Sequence, residues 1–314
     1  MKIIFIDTTH PVLLEMLIKK GFDCEVKNNL SKQEIQLILP NYDGVVVRSR
    51  FKIDKEFIDC GRSLKFIARP GAGLENIDVE YAESKGIKCL RSPEGNRDSV
   101  AEHCIAMLLS LFNKINWADQ EIRNGIWKRN ENWGLELKNK TIAIIGYGYM
   151  GRAFAKRLSG FEVNVLVYDK YLKNYLPNLS YCKESTMSEI FENADILSIH
   201  LPLSEETNQL VNLSYLKKFK KDIFIINTAR GGIVNLSDLC EAIEIGKVKG
   251  ACLDVFDFEE STFEKINFSN SDSMEYLTKS KKVILTPHIA GWTFESNEKI
   301  ASILGEKIIR HFSL

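Results

Sequence analysis

Three residues suited to acid–base work on an anionic substrate stand just beyond apolar runs: Arg230 after 223–226, Glu259 after 251–256 and His288 after 283–286. A histidine can take a proton from a hydroxyl near neutral pH. A carboxylate behind it can fix its tautomer and stabilise the imidazolium, and an arginine can grip a carboxylate through two parallel hydrogen bonds. Such a set suits the oxidation of a 2-hydroxy acid. Glu260 is an adjacent competitor for the role given to Glu259. In an open parallel sheet ligands bind outside the carboxyl ends of the strands, so three residues beyond three strands can converge on one site.

A second pattern supplies a partner for that chemistry. The run TIAII (141–145) leads into GYGYMG, with Gly146, Gly148 and Gly151, and then into a helical pattern over 152–158. Strand, glycine-rich turn and helix follow in the order of a dinucleotide site. The first two glycines permit a tight turn and close approach of a pyrophosphate to backbone N–H groups, and the third lets the helix lie against the strand. The next strand ends at Asp169, 18 residues after the last glycine, near the expected spacing of about 20. Asp169 would accept hydrogen bonds from ribose hydroxyls and repel a 2′-phosphate, which favours NAD over NADP. Lys170 is a neighbouring cation that could shield such a phosphate. An S-adenosylmethionine site shares these features, but it would leave Arg230, Glu259 and His288 without a joint purpose.

These residues need a scaffold, and the apolar pattern predicts one. Short β-branched runs at 2–6, 23–26, 44–47, 65–68 and 87–90 alternate with helical patterns at 12–20, from Ser31, and at 54–60 and 78–85. Ser31 and Glu34 have the spacing of a capping box. A long apolar-faced helix over 99–112 and a polar stretch over 116–139 precede a second alternation, with six strands at 141–145, 163–168, 195–199, 223–226, 249–253 and 283–286. The pattern predicts two doubly wound α/β parallel sheets. A last helix over 294–312 has no strand left to cover and is expected to pack back on the first domain. The expected domains are 1–96 plus 290–314 for substrate, and 97–289 for the dinucleotide.

Lys+Arg and Asp+Glu are both 42, which argues against a dedicated nucleic-acid or anionic-membrane binder. Seven cysteines, an odd number without a CxxC pair, read as reduced core residues, and no metal site is expected. No run approaches a signal-peptide core or a membrane span, so a cytoplasmic location is expected.

The whole pattern resembles the NAD-dependent D-2-hydroxyacid dehydrogenases, in particular the phosphoglycerate-dehydrogenase-like members. The resemblance rests on RPGAGLENID (69–78), SVAEH (99–103), GYGYMG (146–151), HLPL (200–203), NTARGGIV (227–234), LDVF (253–256) with Glu259, and PHIAGWT (287–293). It implies a flavodoxin-like substrate domain and a Rossmann NAD-binding domain with a cleft between them. By that resemblance His288 is the acid/base, Glu259 its orienting carboxylate and Arg230 the clamp on the substrate. Tyr149 and Met150 would meet the pyrophosphate, Leu201, Pro202 and Thr207 the adenosine side, and Thr228 and Asp254 the nicotinamide end. Ala72 and Gly73 resemble the loop that receives the substrate carboxylate, and Arg48 the anion-binding arginine.

Among substrates, Arg48, Arg50 and Arg69 favour 3-phosphoglycerate; glycerate, hydroxypyruvate, glyoxylate and lactate obey the same logic. A non-catalytic NAD-binding regulator is the alternative from another class. The resemblance also implies a homodimer through the cofactor domain, with helix 100–112 and the arm 117–133 suited to the contact, and no appended regulatory domain. The chain departs from the family at Pro70, at Glu260, in the long segment 261–281 and at the bulky Trp292.

Overall fold

A computed structural model describes residues 1–176, 180–257 and 272–312. They divide into two compact units, one of residues 1–97 and 292–312, the other of 98–176, 180–257 and 272–291.

The first unit runs β1 (Lys2–Phe5), α1 (Pro11–Lys19), β2 (Asp23–Val26), α2 (Lys32–Ile38), β3 (Gly44–Val46), α3 (Lys55–Cys60), β4 (Phe66–Arg69), α4 (Val79–Ser84) and β5 (Lys88–Arg91). The sheet is all parallel in the order β2-β1-β3-β4-β5, the flavodoxin-like arrangement. Helices start where the sequence provides a cap. Ser31 and Glu34 form the capping box of α2, and Asp54 and Asp78 accept backbone N–H groups at the starts of α3 and α4.

The second unit begins with α5 (Arg97–Phe112) and α6 (Ile115–Arg123) and continues through β6 (Thr141–Ile145), α7 (Tyr149–Leu158), β7 (Asn164–Tyr168), β8 (Lys183–Glu184), α8 (Met187–Asn193), β9 (Ile196–Ile199), α9 (Leu213–Leu216), β10 (Ile223–Asn227), α10 (Leu236–Glu244), β11 (Val248–Leu253), α11 (Asp272–Lys279) and β12 (Val283–Leu285). Its parallel sheet has the order β12-β11-β10-β9-β6-β7-β8, a Rossmann order with an added strand. There are seven strands where the sequence pattern predicts six. The extra one, β8, is a charged and exposed two-residue edge strand without apolar periodicity. Across the start of the stretch read as polar, α6 forms an amphipathic helix with no buried residue.

Both faces of this sheet are covered, which explains why β9 and β10 are buried along their whole length and mostly apolar. The apolar face of α5, with Val100, Cys104, Leu108, Leu111 and Phe112, lies in the core of its own unit. Most of the apolar side chains of this helix are thus used within its own unit. Exposed apolar side chains lie instead on α6 and the chain after it, at Ile115, Ile122, Ile126, Trp127, Trp133 and Leu135.

The last helix, α12 (Phe294–Phe312), packs in the first unit against α1, with Ala301, Leu304 and Ile308 meeting Leu13, Leu17, Phe5 and Phe66. The first unit is thus discontinuous in sequence.

Candidate active site

Gly146 sits at φ +92°, and a Cβ there would lie 2.5 Å from the His200 carbonyl oxygen, so only glycine makes this turn. At Gly151 a Cβ would meet the Gly146 carbonyl oxygen at 2.1 Å. Gly148 faces open space. Helices α1–α4 and α8–α10 start under a side-chain cap, whereas α7 starts at Gly148 with none. Tyr149 and Met150 are its first residues, so the positive end of α7 opens beside the glycine turn.

Asp169, just beyond β7, is fixed by three backbone donors. Its Oδ2 accepts from Tyr147 N at 2.8 Å, and its Oδ1 from Tyr171 N and Leu172 N at 3.0 and 3.1 Å. A carboxylate offers about four lone-pair sites, so acceptor capacity remains for a hydroxyl. After β9, Thr207 Oγ1 donates to Pro202 O at 2.7 Å and accepts from Ser204 N at 2.8 Å, which folds the Leu201–Thr207 segment on itself. An open glycine, an uncapped helix start and an anchored carboxylate fit a dinucleotide pyrophosphate and its ribose.

The chemistry-bearing loops follow β10, β11 and β12, which are neighbours in the sheet. The strand β10 ends at Asn227, 1% exposed, whose side chain shapes the next turn: Oδ1 accepts from Ala229 N and Nδ2 donates to Arg230 O. Arg230 follows in extended backbone with its Nη1 donating to Ala229 O at 2.6 Å. At Gly231 a Cβ would lie 1.9 Å from the Phe256 carbonyl carbon, so the Arg230 loop packs directly on backbone that follows β11. Glu259 and Glu260 lie outside the described residues.

His288 is held in a left-handed backbone conformation, φ 55°, which is costly for an L residue outside glycine. The completely buried Asp254 accounts for its persistence. The Asp254 carbonyl accepts from His288 N at 2.8 Å, its Oδ1 from Ile289 N at 2.9 Å and its Oδ2 from Ala290 N at 2.9 Å. One residue thereby takes three successive N–H groups. Thr286 Oγ1 donates to the same Oδ1 at 2.6 Å. With that proton committed, His103, 3.0 Å away, must donate to Thr286 through Nε2. Burial pushes the His103 pKa down against the pull of Asp254.

Asp254 N in turn donates to Asn227 O at 3.0 Å. The loops after β10, β11 and β12 are therefore stitched side by side. Thr228 pairs with the buried Cys104, Oγ1 to Sγ 3.2 Å, and burial pushes that thiol up to about 12. Sequence reading gave no individual role to Asn227, Thr286 or His103. The available signal was an asparagine closing an apolar strand, a residue that costs free energy there unless its amide is used.

In the first unit the N–H groups of Arg48, Ser49 and Arg50 all donate to Asp7 Oδ2, at 3.0, 2.8 and 3.0 Å. The Arg48 guanidinium lies 4.4 Å from the Trp292 ring centroid, and Arg50 Nη1 donates to Ile6 O. Arg69, expected to add positive charge for a phosphate, is 8% exposed and serves as scaffold, donating to Arg48 O and Gly73 O at 2.8 Å each. Arg91, opposite Arg69 in the β4–β5 pair, donates to Ala72 O at 2.9 Å. Pinning that carbonyl turns the Gly73 N–H of the same trans peptide to the opposite side.

Among the described residues no group of three or more His, Cys, Asp or Glu could hold a metal ion, and no helix is long and apolar enough to cross a membrane.

Sheet order, glycine turn and the anchored carboxylate beyond β7 are those of a dinucleotide-binding α/β protein. Residues 105–290 match the family model described as "D-isomer specific 2-hydroxyacid dehydrogenase, NAD binding domain". The chain is 35% identical over 309 residues to D-3-phosphoglycerate dehydrogenase of Archaeoglobus fulgidus, covering 98% of this chain and 57% of that one. It is also 35% identical to hydroxypyruvate reductase of Thermotoga maritima, covering 91% and 90%. A D-lactate dehydrogenase from Aquifex aeolicus, solved with NAD and lactic acid, superposes with a TM-score of 0.81 at 26% identity, covering 99% and 95%. The chain belongs to the D-isomer specific 2-hydroxyacid dehydrogenase family. It spans little more than half the length of the phosphoglycerate dehydrogenase it matches.

Proposed function

We propose that this protein is an NAD-dependent D-2-hydroxyacid dehydrogenase that interconverts a small 2-hydroxy acid and its 2-oxo acid. The observation that carries this reading is the stitched edge of the seven-stranded sheet, where Asn227 and Asp254 hold the loops bearing Arg230 and His288. NAD, when bound, exchanges a hydride with the substrate carbon. Gly146, Gly148 and Gly151 with the backbone of Tyr149 and Met150 hold its pyrophosphate, and Asp169 its ribose. Leu201, Pro202 and Thr207 line the adenosine side, and Thr228 the nicotinamide end, with Asp254 acting there through the loop it clasps.

His288 takes the hydroxyl proton during oxidation and returns it during reduction. Glu259 is the carboxylate assigned to orient its ring. Arg230 holds the substrate carboxylate and C2 oxygen by parallel hydrogen bonds, and Arg48, Ala72 and Gly73 receive the acid in the first unit. The preferred substrate is 3-phosphoglycerate, on the strength of Arg48 and Arg50. The use of Arg69 as scaffold supports a second reading, a smaller acid of the glycerate/hydroxypyruvate, glyoxylate or lactate type. Seven free thiols support a reducing, cytoplasmic location, and the exposed apolar arm after α5 supports a homodimer through the cofactor unit.

The test is an NAD-linked assay over a panel of D- and L-2-hydroxy acids and their 2-oxo acids, 3-phosphoglycerate included. Turnover restricted to D acids is expected, with His288→Ala abolishing it while NADH still binds. Wild-type turnover in that variant would remove the role of His288. NADH binding without turnover of any acid would favour a non-catalytic regulator.

A further inference from the structure

The cation that follows Asp169 is not left to itself. Lys170 Nζ pairs with Glu206 Oε1, and Tyr171 Oη donates to Glu206 Oε2 at 3.0 Å. Lys170 Nζ also lies 5.6 Å from the Tyr171 ring centroid. Glu206 belongs to the loop after β9, and Lys170 and Tyr171 to the loop after β7. In the sheet β6 runs between these two strands, so the loops flank the glycine turn from either side. The β9 loop touches that turn where His200 O approaches Gly146, and the β7 loop touches it where Asp169 accepts from Tyr147 N. The Lys170–Glu206–Tyr171 cluster joins the two flanks at the adenosine end of the dinucleotide site.

We propose that Glu206 is a specificity-determining residue that sets the choice between NAD and NADP by occupying Lys170. Asp169, Lys170 and Glu206 sum to one negative charge, and both oxygens of Glu206 are engaged, one by the cation and one by the phenol. A 2′-phosphate brings about two more negative charges. It would meet Asp169 with the adjacent cation already engaged, because Lys170 would first have to leave Glu206. The two sides of the pair agree: Glu206 is held below the usual carboxylate range, first by Lys170 and then by Tyr171, and Lys170 is raised by Glu206. An isolated exposed ion pair contributes little to stability. Here its effect is on which charge faces the ligand, and that is a difference between two ligands. The inference rests on the cofactor reading above and refines it.

The test is a charge series. Lys170→Met, wild type, Glu206→Gln and Glu206→Lys carry local sums of minus two, minus one, zero and plus one. Dissociation constants for NADH and NADPH are measured by fluorescence titration, independently of any substrate. The NADPH-to-NADH ratio should fall at each step, by about two- to tenfold per unit charge at low ionic strength and by less in added salt. An unchanged ratio between wild type and Glu206→Gln, with NADH binding intact, would overturn the inference and leave the cofactor reading standing. Binding of neither dinucleotide by any of the four folded proteins would overturn both.

Discussion

Asp254→Asn isolates the clasp on the His288 loop while changing volume least. The carboxylate uses Oδ1 for Thr286 Oγ1 and Ile289 N and Oδ2 for Ala290 N. An asparagine can keep its oxygen on the Oδ1 side, but its NH2 then faces the Ala290 N–H, donor against donor. The least loss is one hydrogen bond to a charged acceptor, about 1.5–3 kcal/mol. The restraint is opposed by the left-handed backbone of His288, which costs roughly 1–2 kcal/mol. The two are comparable, so the loop is expected to relax toward negative φ and carry the imidazole off its position. Converted at about 1.4 kcal/mol per decade, kcat should fall about 10- to 150-fold. Steady-state reduction of the best 2-oxo acid would read kcat, fluorescence titration would read NADH affinity, and a thermal melt would confirm the fold. Affinity for NADH should move less than kcat. A folded Asp254→Asn protein with kcat within about twofold of wild type would refute the argument that this carboxylate positions His288.

Two further outcomes follow from other parts of the molecule. Burial pushes the His200 pKa down to about 4, below its unfolded value near 6.5, with Ser198 Oγ 2.8 Å from Nε2. In that window the unfolded chain binds the extra proton, so stability is complete above about pH 6.5 and is lost as pH falls toward 4, by at most about 3 kcal/mol. Denaturant melts between those pH values should show a shallower pH slope for His200→Gln, and an identical slope would contradict the assignment. Trp127 and Trp133 are 81% and 78% exposed on the arm that follows α6. If this arm forms the homodimer contact, Trp127→Glu with Trp133→Glu should halve the mass read by light scattering, whereas a wild-type monomer would dispose of the contact.

Much of the cofactor site was legible because its determinants are local. The turn from Gly146 to Gly151 needs a backbone that only glycine adopts or leaves room for, and it fixes its own position between strand and helix. The cap at Ser31 and the apolar stripe of Phe294–Phe312 are likewise short-range signals that packing then used. Elements without such a stripe escaped the reading. The strand β8 is two charged residues and leaves no apolar periodicity, while α6 is amphipathic within a stretch whose composition reads as polar and buries none of its residues.

The sequence by itself determined the alternation of strands and helices, the glycine turn and the residue types that stand beyond β10 and β12. Only the tertiary structure decided which charges are available and which are spent. Arg69 reads as a third cation for an anionic substrate until β4 and the loop after it bury it under Arg48 O and Gly73 O. Lys170 reads as a shield for a 2′-phosphate until Glu206, 36 residues away, takes it. Asp254 becomes the clasp of His288 through bonds spanning 32 to 36 residues. Hydrogen-bond partners separated by that much chain are set by which strands lie side by side, and no local pattern of apolar residues encodes that.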